Sequence, residues 1–557
     1  MLPQLARLGL LAASVAAAQP RLESVFPLGA SPGSTVLAEA RGNALRGATG
    51  IWFPEPGISA TILGAETEKG ASKKPADLLR VELRLDATLA APWREFRVIT
   101  PAGLSNPLRI WTHAEPAIPE SSAPHDLPTE PQKLSQLPAA IHGRIAALGE
   151  VDYYSFHAAA GEHLWFRTIS SDALDPGLGI YKLTGSWFDP TRAKRLAFSD
   201  ERVAYPGVTT EALLEHTFAE AGEYLVRVNG FWGNGGPGQN YLLLITRTAP
   251  SPASAPAEPE DHGWAERSWT RPLHANRMAE LWSRAVEPAT PPAPIPVIDA
   301  DAEPTKTPVE PPNIPLPALI TGTIERPGDI DRVTFSVKEG DRLSFEIETP
   351  GETLPLMNPL LRIVDDNGVE ALTNILSVLN SNSNVSKQIH PKTQYSFPRA
   401  GRFTLEIRDI TATYGGPAMR YRVIVRPQVP HMGTVRADAD CLNLTAGKAQ
   451  KLSIVTDQEE GFDGYVVLSM EGLPAGVHAV PATEVEPDTP PATSTGKRER
   501  FVSKSQKATL VLLPAKDAPP SPAPVLASVW AQPVVKGELG KKILVKEIPV
   551  MVVKASE

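Results

Sequence analysis

Leu137-Pro-Ala-Ala-Ile-His-Gly-Arg-Ile145, followed by Gly149-Glu-Val-Asp152-Tyr-Tyr-Ser-Phe156, returns later in the chain as Leu316-Pro-Ala-Leu-Ile-Thr-Gly-Thr-Ile324 and Gly328-Asp-Ile-Asp331-Arg-Val-Thr-Phe335. The register continues through Gly161, Leu164 and Phe166, matched by Gly340, Leu343 and Phe345. It still holds where Phe218, Gly222 and Tyr224 answer Phe397, Gly401 and Phe403. A constant offset over so long a span means one module written twice with few insertions. What recurs is apolar alternation and turn residues, the signature of half-buried strands joined by tight turns. Nucleophiles, bases and metal ligands do not recur. Phe156, Phe166, Phe335 and Phe345 alternate with polar neighbours and are expected in the cores.

Outward from the repeat, the 557 residues exceed what one core supports, so several domains are expected. An apolar share of 42% is enough to bury real cores. The 57 prolines suit strand ends, edges and linkers and oppose long helices. A net charge of -9 provides no electrostatic footprint for nucleic acid. At the N-terminus, Arg7, the apolar run Leu8 to Ala18 and the small residues Ala16-Ala-Ala18 predict a cleavable signal peptide over 1–18. Eleven helical residues reach about half a bilayer core, so no membrane span is expected there. The expected location is the periplasm, the cell surface or the medium.

Residues 19–113 have short alternating strands such as Val81-Glu-Leu-Arg-Leu85, separated by Gly/Pro turns, and predict a β-sandwich. The repeats occupy 134–247 and 316–427. Between them, 248–315 is Pro-rich, with one helix-compatible stretch from Leu273 to Val286 and three tryptophans, Trp264, Trp269 and Trp282. These tryptophans are expected to pack on a neighbouring module. A last strand-rich unit spans 433–554, with 481–500 as an exposed loop. The fold class is therefore all-β: a multi-domain string of β-sandwiches.

On these residues, two resemblances stand out. Pro27, Gly29, Gly33 and the closing Gly103-Leu-Ser105 make the first unit similar to IPT/TIG immunoglobulin-like domains. The duplicated Leu-Pro…Gly-x-Ile strand, the Gly-x-x-Asp turn and the Phe…Gly-x-Tyr/Phe ending resemble the bacterial pre-peptidase C-terminal (PPC) domain, over roughly 220 residues. The last unit looks like the immunoglobulin-like modules that follow PPC pairs. The resemblance implies compact jelly-roll-like sandwiches appended to secreted hydrolases, often peptidases. It also implies calcium in some related modules. The usual catalytic partner is missing from this chain.

No residue is singled out as catalytic, cofactor-binding or metal-ligating. Gly29-Ala-Ser31-Pro-Gly33 matches a nucleophile elbow, but Pro32 and the β-prone Ser34-Thr-Val36 follow where a helix must start. His142, His157 and His163 are replaced in the second repeat by Thr321, Ser336 and Arg342, and are expected to face solvent. Asp152 and Asp331 are expected to fix turns, being too few for a calcium shell. Cys441, the one cysteine, sits among aspartates and is expected to act as a small buried apolar residue. The function expected is non-catalytic binding or scaffolding, toward a protein or polysaccharide. The alternatives are a carbohydrate-binding protein using Trp187, Trp232 and the later tryptophans, and an accessory part of, or a divergent, secreted peptidase or hydrolase.

Overall fold

The computed structural model describes residues 19–68, 76–90, 92–171, 173–185, 192–200, 202–204, 207–209, 212–249, 273–285, 292–301, 311–349, 357, 359–373, 376–381, 384–389, 392–480, 482–483 and 504–554. The fold is all-β, a series of two-sheet sandwiches. The signal-peptide residues 1–18, Trp187, Trp264, Trp269 and nearly all of the 481–500 loop lie outside the described residues.

In the first sandwich, one sheet runs Arg21–Phe26, Thr35–Asn43, Asp77–Leu85, Ile58–Thr67. The other runs Gly29–Ala30, Leu108–Thr112, Trp93–Thr100, Gly50–Trp52. Period-two patterning does what it should: Leu79, Val81, Leu83 and Leu85 all point into the core while Arg80 and Arg84 face out.

The duplication is a duplication of topology. The first repeat has a sheet ordered Ala117–Pro119, Ala139–Arg144, Asn240–Thr246, His163–Ser170, Leu213–Thr217. The second has Val297–Asp299, Ala318–Thr323, Arg420–Pro427, Arg342–Glu348, Lys392–Ser396 in the same order. The facing sheets are built around Val151–Ala158 with Gly222–Gly230 and Asp331–Val337 with Gly401–Asp409. Phe156 and Phe166, and likewise Phe335 and Phe345, lie buried between the sheets. Each repeat also recruits chain upstream of its motifs. Ala117–Pro119 and Val297–Asp299 pair in parallel with the first motif strand of their repeats. Proline-rich sequence can serve as an edge strand, because an edge needs hydrogen bonds on one side only.

The last sandwich pairs His431–Ala437, Gln450–Glu459, Lys504–Pro514 and Val477–Val480 opposite a sheet centred on Ile543–Val553 and Val525–Val535. Between the repeats, the helix Arg277–Ser283 falls inside the helix-compatible stretch. Leu273, Met278, Leu281 and Ile295 bury against Leu319 and Ile424 of the second repeat and Val429 just after it, with Trp282 packed alongside. The string also closes on itself. The Asn443 side chain of the last sandwich accepts a bond from Leu104 N (2.8 Å) and donates one to Leu104 O (2.9 Å) of the first. Ile99, Leu104 and Met551 form an apolar contact there, flanked by Cys441.

Candidate functional site

The recurring aspartates share one partner. Tyr241 donates its hydroxyl proton to Asp152 Oδ2 at 2.5 Å, and Tyr421 does the same to Asp331 Oδ2 at 2.6 Å. Both tyrosines lie across the strand that carries the recurring glycine. A Cβ on Gly143 would sit 2.2 Å from Tyr241 Cζ, and one on Gly322 2.3 Å from the Tyr421 hydroxyl. The glycine of the Gly-x-Ile motif therefore clears the path for the tyrosine that fixes the aspartate.

In the first repeat the aspartate of this pair lines a cleft, with Tyr241 buried behind it. Tyr154 extends the chain of bonds, its hydroxyl 2.5 Å from that of Tyr241, which is itself committed to Asp152. Two residues of the upstream segment complete the cluster. His125 Nε2 lies 3.4 Å from Glu120 Oε1 and 3.6 Å from Asp152 Oδ1. Its ring is 7% exposed and packs 5.4 Å from that of Tyr154. Each residue is held by its other polar atom: His125 Nδ1 lies 3.1 Å from the Ala123 carbonyl, and Glu120 Oε2 accepts the Arg144 N–H at 3.0 Å. His125 Nε2 itself has no hydrogen-bond partner of good geometry. The Glu120 carboxylate, joined by Asp152, raises the His125 pKa to about 9. Burial raises that of Asp152 to about 7, against the hydroxyl bond from Tyr241.

The cleft has a volume of about 1170 Å³ and lies between the first sandwich and the first repeat. Phe26, Pro27 and Ser31 line one side; Ala146, Leu148 and Asp152 line the other. The modules are joined behind it by Asn240 Nδ2 donating to Val25 O (3.0 Å) and by the Arg144 guanidinium 4.7 Å above the Phe26 ring. Ala140, Ile169 and Leu242 of the repeat belong to the first sandwich's core. Next to the lining residue Gly149 stands the turn after Gly222–Gly230. Gly233 O accepts the Gly149 N–H at 2.9 Å, and Gly236 N donates to Ile145 O at 2.8 Å. This turn presents Trp232, 74% exposed, edge-on to Phe231 at 5.0 Å. The Trp232 indole lies beside the Asp175 carboxylate and opposes the upward push of burial on its pKa. Leu148, 81% exposed, lies on the adjoining turn.

His157 and His163 are exposed, as expected. His142 is not: it is 6% exposed, with Nε2 3.2 Å from His113 Nε2, and burial lowers its pKa to about 3. Alternation along Ala139–Arg144 identifies one inward face, but here the first sandwich covers the outer face as well. Ser31 sits in a turn, its carbonyl accepting from the Ser34 hydroxyl, and strand rather than helix follows at Thr35–Asn43. Cys441 is half-buried, and burial raises its pKa.

A second set of potential ligands, His431, Glu459 and Glu460, lies where the second repeat meets the last sandwich. Its carboxylates are already neutralised. Arg426 pairs with Glu346 and Glu460, Lys392 with Glu459 and Glu460, and Arg277 of the helix reaches Glu346 at 2.8 Å. The sequence did not flag this network, because its members come from five separated segments. Nor did it flag Glu120, His125, Tyr241 and Tyr421. The tyrosines do recur, but one residue out of the repeat's register.

No family model and no curated protein matches the chain. Among solved structures, it is similar to the pre-peptidase C-terminal domain of a collagenase from Bacillus anthracis, at 13% identity and TM-score 0.17, covering 23% of this chain and 100% of that one. It is similar to the secreted serine protease VesC from Vibrio cholerae, at 12% identity and TM-score 0.15, covering 39% of this chain and 48% of that one. It is also similar to a tandem of two CBM22 domains from Paenibacillus barcinonensis Xyn10C, at 9% identity and TM-score 0.11, covering 72% and 98%.

Proposed function

We propose that this chain is an exported, non-catalytic binding protein, assembled from an IPT/TIG-like sandwich, two PPC-like repeats and an immunoglobulin-like sandwich, and that it holds a polysaccharide strand along the cleft between its first two modules. One observation carries the reading: an aromatic ring exposed on a turn that is hydrogen-bonded to Gly149, a residue lining the inter-module cleft. An exposed indole normally costs apolar surface in water, and Trp232 stands exposed beside the Asp175 carboxylate. Sugar rings present flat C–H faces to such a platform and hydroxyls to carboxylates and serines. The adjoining cleft supplies Glu120, Asp152, Ser31 and Ser121. Sites of this kind lie preferentially at domain junctions.

Titration of the purified chain with cell-wall and plant polysaccharides tests this. Intrinsic tryptophan fluorescence is expected to change saturably with at least one of them. Trp232→Ala is expected to weaken that binding by about 2 kcal/mol, roughly 30-fold, as truncating a central aromatic anchor does. Folded protein that responds to no polysaccharide in the panel would remove the reading.

A further inference from the structure

The cluster at the base of the cleft is arranged as a ligand set rather than as a turn. Three side chains from two segments each commit one polar atom to the protein and aim the other at a common point. His125 uses Nδ1 on the Ala123 carbonyl and presents Nε2. Glu120 uses Oε2 on the Arg144 N–H and presents Oε1. Asp152 uses Oδ2 on the Tyr241 hydroxyl and presents Oδ1. An imidazole anchored through one nitrogen, so that the other is orientated outward, is the usual support of a metal-ligating histidine.

The spacing carries the argument further. A tetrahedral ion with ligands at about 2.0–2.2 Å separates them by roughly 3.3–3.6 Å. The two separations from His125 Nε2, 3.4 and 3.6 Å, fall in that range, and one ligand atom from each of the three residues lies within 4.8 Å of the others. His125 is more than nine-tenths buried, and its presented nitrogen has no hydrogen-bond partner of good geometry. Two carboxylate oxygens face that nitrogen at 3.4 and 3.6 Å without closing a well-formed hydrogen bond to it, so a divalent cation competes there with a single proton.

Calcium, which the PPC resemblance implies for some related modules, does not fit. It takes six to eight oxygens, whereas only two carboxylate oxygens are free here and a nitrogen takes the third place. We propose that Glu120, His125 and Asp152 form a three-ligand site for a borderline divalent transition ion of the zinc class, with its remaining position open to the cleft. The proposal stands on the cluster alone and does not depend on what the cleft binds. The second repeat serves as an internal contrast. There Asp331 keeps its tyrosine and Asp301 accepts the Thr323 N–H, as Glu120 does for Arg144, but no histidine joins them among the described residues.

The test uses the full chain, freed of any affinity tag and stripped with a chelator. Calorimetric titration with zinc is expected to fill one site per chain, and cobalt is expected to give the intense visible absorption of a four-coordinate centre. His125→Asn and Glu120→Gln should each weaken zinc by roughly 100-fold or more, exceeding what loss of an outer partner costs. Asp331→Asn, in the second repeat, should leave zinc binding unchanged. Circular dichroism and melting curves identify any variant that fails to fold, and Glu120→Gln keeps the test open if His125→Asn is one of them. Folded wild-type protein that takes up no zinc at micromolar concentration would overturn the proposal. So would zinc affinity indifferent to both substitutions, or displacement of zinc by calcium.

Discussion

Gly143 shows how much one missing atom can do. It is not in a turn and needs no unusual backbone angle; it is glycine because the Tyr241 ring passes over it. A Gly143→Ala substitution puts a methyl 2.2 Å from Tyr241 Cζ and forces the ring away from Asp152. Overpacking of this kind costs about 1–3 kcal/mol. Tyr241→Phe keeps the ring and deletes only the proton donor, leaving a buried carboxylate oxygen without its partner, for a further test at about 1–3 kcal/mol. Both should lower the unfolding free energy in denaturant titrations, and Tyr421→Phe should do the same in the second repeat. A Tyr241→Phe protein as stable as the parent would mean that the hydroxyl contributes nothing. At this scale the glycine and the aspartate are legible in the duplicated letters. Tyr241 is harder to see, because one extra residue ahead of Tyr421 in the second repeat breaks the register between them. Glu120 and His125 are invisible from pattern alone, since they lie in a Pro/Ser-rich stretch that reads as a spacer.

Among the elements, the helix Arg277–Ser283 is the instructive one. Seven residues are too short to be stable by propensity alone, so the helix depends on burying its apolar side. Met278 and Leu281 do this against Leu319 and Ile424, on the outer face of a sheet whose inner face already forms a core. Leu281→Ala should cost about 2–5 kcal/mol of local stability, the range for a buried leucine truncated in place. Limited proteolysis would then cut between residues 273 and 285 well before the repeats, while the parent resists there. Equal resistance in the variant would show that the helix is held by Arg277 and its ion pairs alone. The sequence suggested the helix, since the stretch lacks Gly and Pro. It did not suggest the docking surface, because a strand buried on both faces has no alternation to read.

Over the whole molecule, the modules are joined by contacts of two kinds. The first sandwich meets the first repeat through a shared apolar core, and meets the last sandwich through Asn443 and Leu104. The second repeat meets the last sandwich through buried charge. Burial pushes the Glu460 pKa up, but Arg426 and Lys392 outweigh it and hold the carboxylate down at about 2. A lowered carboxylate stabilises the folded form fully above its ordinary value of 4.5, and that contribution is lost as pH falls toward 2. The joint should therefore stay closed at pH 5 and open between about pH 4.5 and 2, seen as a rise in radius of gyration by small-angle scattering. Opening between pH 7 and 5 would contradict the ion network as the fastener. Such a network also changes how the protein engages a ligand. Modules on free tethers would gain from effective concentration alone, whereas docked modules present one preformed surface.

What the chain's letters determined by themselves is the repeated sandwich: its strands, its turns and the aromatic residues of its cores. Those features come from local periodicity, which a single strand carries without reference to its neighbours. The outer faces of the sheets were decided only by the tertiary structure. His142 lies beneath the first sandwich, Arg426 is enclosed by glutamates from the second repeat and the last sandwich, and His125 is aimed at Asp152 across a segment that has no pattern of its own. Contacts between modules join residues far apart in sequence. No period encodes them, and they exist only once both surfaces have formed.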